Sequence, residues 1–207
     1  MAGMLFFGYT TDMYFHQFIG VVAVLLGISG FARYLFDMSR GTTKPHIFSW
    51  GVWFLLEGTG FLIQWQSGAG PGSWVMLVST IGILCVFIYS FRYSKVLVRS
   101  VDWVCLVGAV ISFVLWYFSK QPLLAAIMLS VTDLFAFLPT FRKTWSQPYE
   151  ETLLEYGMSA LKYAVAFMAF SVFTPAAVLY SLYLVVTNTV FVLFALARRY
   201  HLSLNHK

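Results

Sequence analysis

The chain is a series of long apolar runs separated by short segments that hold most of the polar residues. Each run is close to the roughly 20 residues that an α-helix needs to cross a bilayer. The runs are continuous and do not alternate like the strands of a membrane β-barrel. The pattern therefore predicts seven membrane-spanning helices: 15–36, 45–64, 74–91, 101–118, one that begins at 122 and is broken near its end by Pro139, 151–173, and one that follows Pro175 and ends at 197.

The composition is typical of a membrane protein, and it gives a different explanation of the positive net charge than binding to nucleic acid. Hydrophobic residues make up 60% of the 207 residues and charged residues only 10%, whereas a soluble domain is about one quarter charged. The formal net charge of +5 therefore indicates basic loops beside a membrane and not a nucleic-acid partner. No Lys or Arg precedes the first apolar run, so we expect no cleaved signal peptide.

The basic residues also predict an orientation. The loops after predicted helices one, three and five, together with the C-terminal tail, hold 11 of the 13 Lys and Arg residues. Lys and Arg favour the cytoplasmic side of a membrane. We therefore expect a multi-pass protein of the cell (inner) membrane with its N-terminus outside and its C-terminus in the cytoplasm.

Three charged side chains and one asparagine lie inside the predicted helices. Counting about 1.5 Å per residue from the helix ends places Glu57, Asp133, Lys162 and Asn188 near the bilayer midplane. A charged group there costs at least a few kcal/mol and usually faces the protein interior. We expect Glu57 to pair with Lys162, and the lone carboxyl of Asp133 to hold a proton at rest.

Predicted helix two carries its polar and aromatic residues on one stripe. Trp50, Trp53, Glu57, Gly60 and Gln64 recur at helical spacing, so this face should contact protein or water and not lipid. Trp53 either lines a pathway or belongs with Trp50 to the belt of aromatic residues at the membrane surface.

Predicted helix one carries a stripe of small residues at Gly20, Ala23, Gly27 and Gly30. Such stripes allow helices to approach closely in lipid. We interpret this one as a packing face.

The order of the helices indicates an internal repeat. Pro45 and Pro148 are 103 residues apart, and this offset aligns predicted helices one to three with helices five to seven. Helix four has no counterpart in this alignment. Because it adds one crossing of the membrane, both three-helix units have the same orientation in the membrane. The predicted fold is all-α, with two parallel three-helix bundles at 1–91 and 122–207 joined by a linker helix within 92–121.

This arrangement, with the segment FLPTFRKTW that follows Ala136, resembles the PQ-loop superfamily. That group includes the SWEET and SemiSWEET (MtN3) sugar transporters, cystinosin-like amino-acid exporters and PnuC vitamin transporters. Pro139 occupies the place of the family proline, Thr140 stands where a PQ dipeptide has glutamine, and Asn188 is similar to the substrate-site asparagine of SWEET proteins. The resemblance implies transport of a small polar metabolite, with Pro45, Pro139 and Pro148 in gating positions.

The site itself is predicted from the buried polar residues. We expect Trp53, Glu57, Tyr156, Lys162 and Asn188 to bind the solute and Asp133 to couple it to a proton. The expected partners are a small-molecule substrate, the lipid bilayer and a second copy of the chain, with no cofactor, metal or nucleic acid.

Three other classes of protein are alternatives to a transporter. A scaffold or assembly protein with a structural ion pair is the main alternative. A retinal photoreceptor would carry its Schiff-base lysine in the last helix, whereas Lys162 lies in the sixth. An enzyme is not expected, because no paired acids on one helix, histidine cluster or serine–histidine signature appears.

Overall fold

The computed structural model describes residues 2–93, 100–119 and 121–205. Within these ranges all regular secondary structure is helical, with seven α-helices, two short 3-10 helices and no strand, which confirms the predicted all-α class. The α-helices are α1 (Ala2–Ser39), α2 (Ile47–Gln66), α3 (Trp74–Ser90), α4 (Ser100–Ser119), α5 (Pro122–Ser146), α6 (Leu153–Met168) and α7 (Pro175–Asn205). The 3-10 helices, Gly70–Ser73 and Phe91–Tyr93, flank α3.

Four helical segments of the described chain are long and apolar enough to cross a membrane. They are Met13–Ser39, Gly70–Tyr93, Pro122–Ser146 and Pro175–Leu204. Continuous helices satisfy their own backbone hydrogen bonds, which is what the interior of a bilayer demands. The chain is therefore an all-helical membrane protein.

All predicted helix starts except the first are at or within two residues of the observed ones. Pro122 is the first residue of α5, as favoured for a residue without a backbone N–H. In α2 the helix begins two residues after Pro45, and the His46 ring accepts a hydrogen bond from the Ser49 backbone N–H as a cap.

The interpretation of the fifth and sixth helices was wrong in two places. Pro139 does not break α5, which continues to Ser146. Proline costs the helix one backbone hydrogen bond, and surrounding protein in a membrane helix tolerates that loss because Pro139 is buried. Helix α6 begins at Leu153, two residues after the predicted start, but it ends at Met168, five residues before the predicted end at 173.

The early end of α6 is fixed by the neighbouring loop. The Gly72 backbone N–H donates to the Ala169 carbonyl at 3.0 Å, and the Ser171 N–H donates to the Ala69 carbonyl at 3.1 Å. Gly70 passes Ser171 with φ of +60°, and a Cβ there would lie 2.3 Å from the Ser171 Oγ. These loop contacts use backbone groups that would otherwise extend the helix.

The helices pack in a regular order. Helix α3 packs between α1 and α2, and α7 packs between α5 and α6. Helix α1 also packs against α6, and α2 packs against α5, while α4 covers α5 and α2. The middle of the molecule thus lies between α1, α2 and α3 on one side and α5, α6 and α7 on the other.

The small-residue stripe of α1 is a packing face, as predicted. Gly20 lies against Pro71, Gly27 against the Lys162 stem, and Gly30 against Glu155. A Cβ at Gly30 would lie 2.2 Å from the Glu155 Oε2 atom. The missing side chain therefore makes the space in which the acidic end of α6 is buried.

The described charged side chains outside the bundle centre collect at one end of the molecule. The ends of α1, α3, α5 and α7 and the start of α6 meet there, and they hold Arg33, Asp37, Arg40, Lys44, Arg92, Arg142, Lys143, Glu150, Glu151, Arg198 and Arg199. We call this the basic end, and the opposite end, at 64–75 and 168–178, the uncharged end. Lys95, Arg99 and Lys120, which the topology prediction also used, lie outside the described residues.

Candidate functional site: a buried charged cavity

A cavity of about 40 Å³ lies in the middle of the bundle and is lined by residues of six helices. All six side chains predicted to bind the solute or a proton line it: Trp53, Glu57, Asp133, Tyr156, Lys162 and Asn188. The volume holds one or a few water molecules. It is far below the several hundred Å³ of an ordinary small-molecule pocket, so the site has no room for a whole metabolite in this conformation.

Lys162 pairs with Glu155 and not with Glu57, so the predicted ion pair is wrong. The Lys162 Nζ atom lies 3.7 Å from Glu155 Oε1, and both side chains are at most 4% exposed. The ammonium group also lies 4.4 Å from the centre of the Phe31 ring, a favourable contact for a cation. The pair joins two turns of α6 and does not bridge the two groups of helices.

Sequence reasoning missed Glu155. The residue stands in the first turn of α6, where an acid normally meets solvent and favours the helix dipole. Its burial comes from Gly30 on α1, which no local pattern connects to it. The available signal was the spacing of Glu155 and Lys162, which are seven residues apart and therefore on one helix face.

Glu57 is held by a tyrosine of the other group of helices. The Tyr163 hydroxyl donates to Glu57 Oε1 at 2.7 Å and lies 3.1 Å from Ser79 Oγ. The second carboxyl oxygen of Glu57 is buried and has no hydrogen-bond partner. The stripe on α2 is buried as predicted, from Trp50 to Gln64.

Asp133 lies on α5 and faces Trp53 and Tyr183. Its side chain is 1% exposed, and no ion pair among the described residues involves it. Its Oδ2 atom, the Trp53 Nε1 atom and the Tyr183 hydroxyl are buried without hydrogen-bond partners. As predicted, this carboxyl has no basic partner in the part of the chain that the structure describes.

Aromatic rings form much of the cavity wall. The Trp53 ring lies 4.8 Å from the Phe137 ring, and the Tyr156 ring lies 4.2 Å from the Phe191 ring. Trp50 is also buried and lines the cavity, packed 4.8 Å from the Tyr34 ring. Its predicted place in a membrane-surface belt is therefore wrong.

Asn188 on α7 completes the set of predicted residues. Its Nδ2 group donates to the Leu184 carbonyl of its own helix at 2.8 Å. That bond fixes the side chain beside the cavity and does not join two helices.

A hydrogen-bonded network connects the cavity to the basic end. The Tyr156 hydroxyl donates to Glu151 Oε2 at 3.2 Å, and the Tyr34 hydroxyl donates to the same oxygen at 2.9 Å. The other oxygen, Glu151 Oε1, lies 2.7 Å from Lys143 Nζ. A displacement of Tyr156 would therefore also displace Glu151 in the loop that follows α5.

Two loops meet at the basic end, and each contains one of the predicted gating prolines. The Lys44 N–H beside Pro45 donates to the Glu150 carbonyl at 3.3 Å, and the Thr43 and Thr152 hydroxyls are 2.6 Å apart. The Pro148 carbonyl accepts from Arg199 Nε at 2.8 Å. Neither Pro45, Pro148 nor Pro139 lines the cavity.

The uncharged end is closed by a second set of contacts. The Gln64 Nε2 group donates to Ser181 Oγ at 2.7 Å and to the Ala177 carbonyl at 3.2 Å. The Tyr180 ring covers Gly60, where a Cβ would lie 2.7 Å from it. The cavity thus lies between two closed ends.

The charges determine what this cavity can bind. Three carboxyl groups and one ammonium group line it, and no cluster of three or more potential metal ligands occurs among the described residues. Carboxylate oxygens accept hydrogen bonds, so the site suits protons and ligands with N–H or O–H donors.

Comparison with models of protein families, with curated protein sequences and with solved structures gave no match to this chain. The class is therefore defined by the fold and the cavity. The protein is an all-helical membrane protein that buries a set of charged side chains in the middle of its helical bundle.

Replacing Tyr163 with phenylalanine is expected to destabilise the protein by about 1–3 kcal/mol, because Glu57 would lose its hydrogen-bond donor while staying buried. The measurement is the free energy of unfolding in mixed detergent micelles. Tyr180→Phe is the matched control, since the Tyr180 hydroxyl is buried without a partner and its removal should not destabilise the protein. Equal losses in both variants would contradict the role of the Tyr163–Glu57 bond.

Proposed function

We propose that the protein moves a small polar metabolite across the cell membrane by alternating access, as its resemblance to the PQ-loop and SWEET proteins implies. The observation that carries this proposal is the burial of Glu57, Asp133, Glu155 and Lys162 around one cavity between two groups of helices. Charged groups inside a membrane protein are costly and mark substrate, ion or proton pathways.

The packing order supports a repeat of three helices. Among these six helices, exchanging α1 with α5, α2 with α6 and α3 with α7 converts each main contact into another observed one: α1–α3 becomes α5–α7, α2–α3 becomes α6–α7, and α1–α6 becomes α5–α2. The contacts of α4 with α5 and α2 have no such counterpart. Such an exchange is expected for two copies of one unit with the cavity between them, and transporters built from repeats bind their solutes at such interfaces. We therefore assign 1–91 and 122–207 to two moving halves, with α4 as linker.

The charge distribution supports the orientation. The basic end holds the described Lys and Arg residues outside the cavity, so it belongs on the cytoplasmic side. In this assignment the uncharged end faces outward, with the N-terminus outside and the C-terminus in the cytoplasm.

The two closed ends are proposed as the gates. The inner gate is the contact between the loops that hold Pro45 and Pro148, strengthened by the Lys143–Glu151 pair. The outer gate is the contact between Gln64 and Ser181. Pro139 lies in α5 between the cavity and the inner gate, where a missing backbone hydrogen bond lets a helix bend.

Within this cycle Asp133 is proposed to carry the proton. Among the described residues it has no basic partner, unlike Glu155, and the donors that face it, Trp53 and Tyr183, are neutral. Trp53, Tyr156 and Asn188 shape the space beside it.

The small size of the cavity favours a second candidate, a scaffold or assembly protein whose buried charges only fix the helix packing. In such a protein the cavity would never open to water. Whether a water-soluble reagent can reach the cavity therefore distinguishes a transporter from a scaffold protein.

The test uses a cysteine inside the cavity. Ser159 lines the cavity, and Ser159→Cys is made in a protein whose two native cysteines are replaced by serine. If the halves rock, a charged, membrane-impermeant thiol reagent should label this cysteine from either side of reconstituted vesicles. The readout is the mass shift of the intact protein.

Ser79→Cys is the matched control, because Ser79 is buried on α3 and does not line the cavity. Transport predicts labelling at position 159 and much slower labelling at position 79. A Ser159→Cys protein that stays folded and unlabelled from both sides would support the scaffold and overturn the transport proposal.

A further inference from the structure

Each of the three cavity carboxyl groups has one oxygen atom that is buried without a hydrogen-bond partner. These atoms are Glu57 Oε2, Asp133 Oδ2 and Glu155 Oε2. Buried polar atoms are nearly always paired, and each exception requires an explanation. Glu155 Oε2 packs against Gly30 on α1, so the acceptors left for the cavity are Glu57 Oε2 on α2 and Asp133 Oδ2 on α5. Two such acceptors from the two groups of helices indicate a place for a ligand that brings donors.

The charges around the cavity are also unequal. Lys162 offsets one of the three carboxylates through its contact with Glu155. Glu57 and Asp133 have no basic side chain of their own among the described residues. In an apolar interior an unpaired carboxylate is costly and otherwise holds a proton, so a ligand with positive charge that replaces the proton of Asp133 would be favoured over a neutral or anionic one.

The arrangement of the acids favours an extended organic cation over a metal ion as the ligand of the cavity. The described acids do not form a cluster that could hold a metal ion. A guanidinium group presents five N–H donors on a planar fork and can contact carboxylates on different sides.

The aromatic wall of the cavity also suits a guanidinium group. Trp53, Phe137 and Tyr156 line the cavity together, and a guanidinium plane stacks well on such rings. The present volume of about 40 Å³ matches a head group and not a whole metabolite, so the remainder of the ligand would enter as the halves separate.

We propose that the solute of this cavity is a small organic cation with a guanidinium head group, held by Glu57 and Asp133 and stacked on the aromatic wall. The proposal rests on the transport function above, since it names the chemical class of the solute. A protein that only held such a cation would still have this site.

The experiment measures binding to the purified full-length protein by the shift in its thermal unfolding midpoint and by calorimetry. The probes are methylguanidine and arginine, each with a neutral analogue of nearly the same shape, methylurea and citrulline. Glucose, glutamate and methylammonium complete the panel. We expect the two guanidinium compounds to bind and their neutral analogues not to bind.

Glu57→Gln is the informative variant, because glutamine keeps an acceptor for the Tyr163 hydroxyl, loses the charge and puts an NH2 donor in place of the second acceptor oxygen. It should weaken methylguanidine binding by about tenfold or more, as expected for a charge-assisted hydrogen bond. Arg33→Gln is the control, since Arg33 is half exposed and pairs with Asp37 on its own helix, away from the cavity and from the contact between the two loops, and should leave the affinity unchanged.

The outcomes separate this inference from the transport proposal. Binding of glucose, glutamate or the neutral analogues in place of the guanidinium compounds would overturn the inference while leaving transport standing. Absence of binding by both guanidinium compounds would overturn it too. Guanidinium binding with no labelling of Ser159→Cys from either side would overturn transport and retain the cation site.

Discussion

Lys162→Met is expected to destabilise the protein by about 3–5 kcal/mol, the usual cost of removing one partner of a buried ion pair. Methionine fills a similar volume and leaves the Gly27 contact intact. The loss would therefore come from Glu155, whose carboxylate would remain 3% exposed with no cation beside it. The measurement is the free energy of unfolding in mixed detergent micelles.

Two further variants make this result specific. In the double variant Lys162→Met with Glu155→Gln, neither group carries a charge, so much of the lost stability should return. Lys44→Met removes a lysine that is half exposed and pairs with Glu150, and it should cost at most about 1 kcal/mol. If Lys162→Met and Lys44→Met were equally mild, the buried pair would not contribute as argued.

Asp133→Asn is expected to abolish the pH dependence of solute uptake while leaving the fold intact. Asparagine has nearly the same shape and neighbours but does not gain or lose a proton in the physiological range. The measurement is uptake into reconstituted vesicles between pH 5.5 and 8, using whichever solute of the binding panel is taken up best. The thermal unfolding midpoint of the variant, compared with the wild type, reports the state of the fold.

Glu151→Gln provides a contrast for this experiment. Glu151 is also a buried acid, but it is paired with Lys143 at the inner gate. Its replacement should change the rate of uptake and keep the pH dependence. Survival of the full pH dependence in Asp133→Asn would remove the proton role from Asp133.

The candidate site was predictable where a single helix carries the information. The spacing of Trp53 and Glu57 along α2 required a face turned away from lipid, and both residues line the cavity. Asp133, Lys162 and Asn188 were predicted from their depth along apolar helices, because a polar group at that depth needs protein or water around it.

The partners of these groups were not predictable in the same way. Glu57 lies beside Tyr163 because α2 and α6 meet at that level, and Lys162 reaches Glu155 because Gly30 leaves room for the carboxyl. The identity of a partner depends on the rotation and height of two helices, which the sequence of either helix does not specify.

The sequence by itself determined that this protein is helical, that it belongs in a membrane, and which polar side chains could not face lipid. These follow from the length of the apolar runs and from the cost of charge in hydrocarbon, both of which are local properties. The tertiary structure alone decided that α5 passes through Pro139, that α6 ends at Met168, and that Glu155 joins the buried charges. Each of these depends on contacts between residues far apart in the chain, and the free energy of such contacts is set by packing geometry that no local pattern contains.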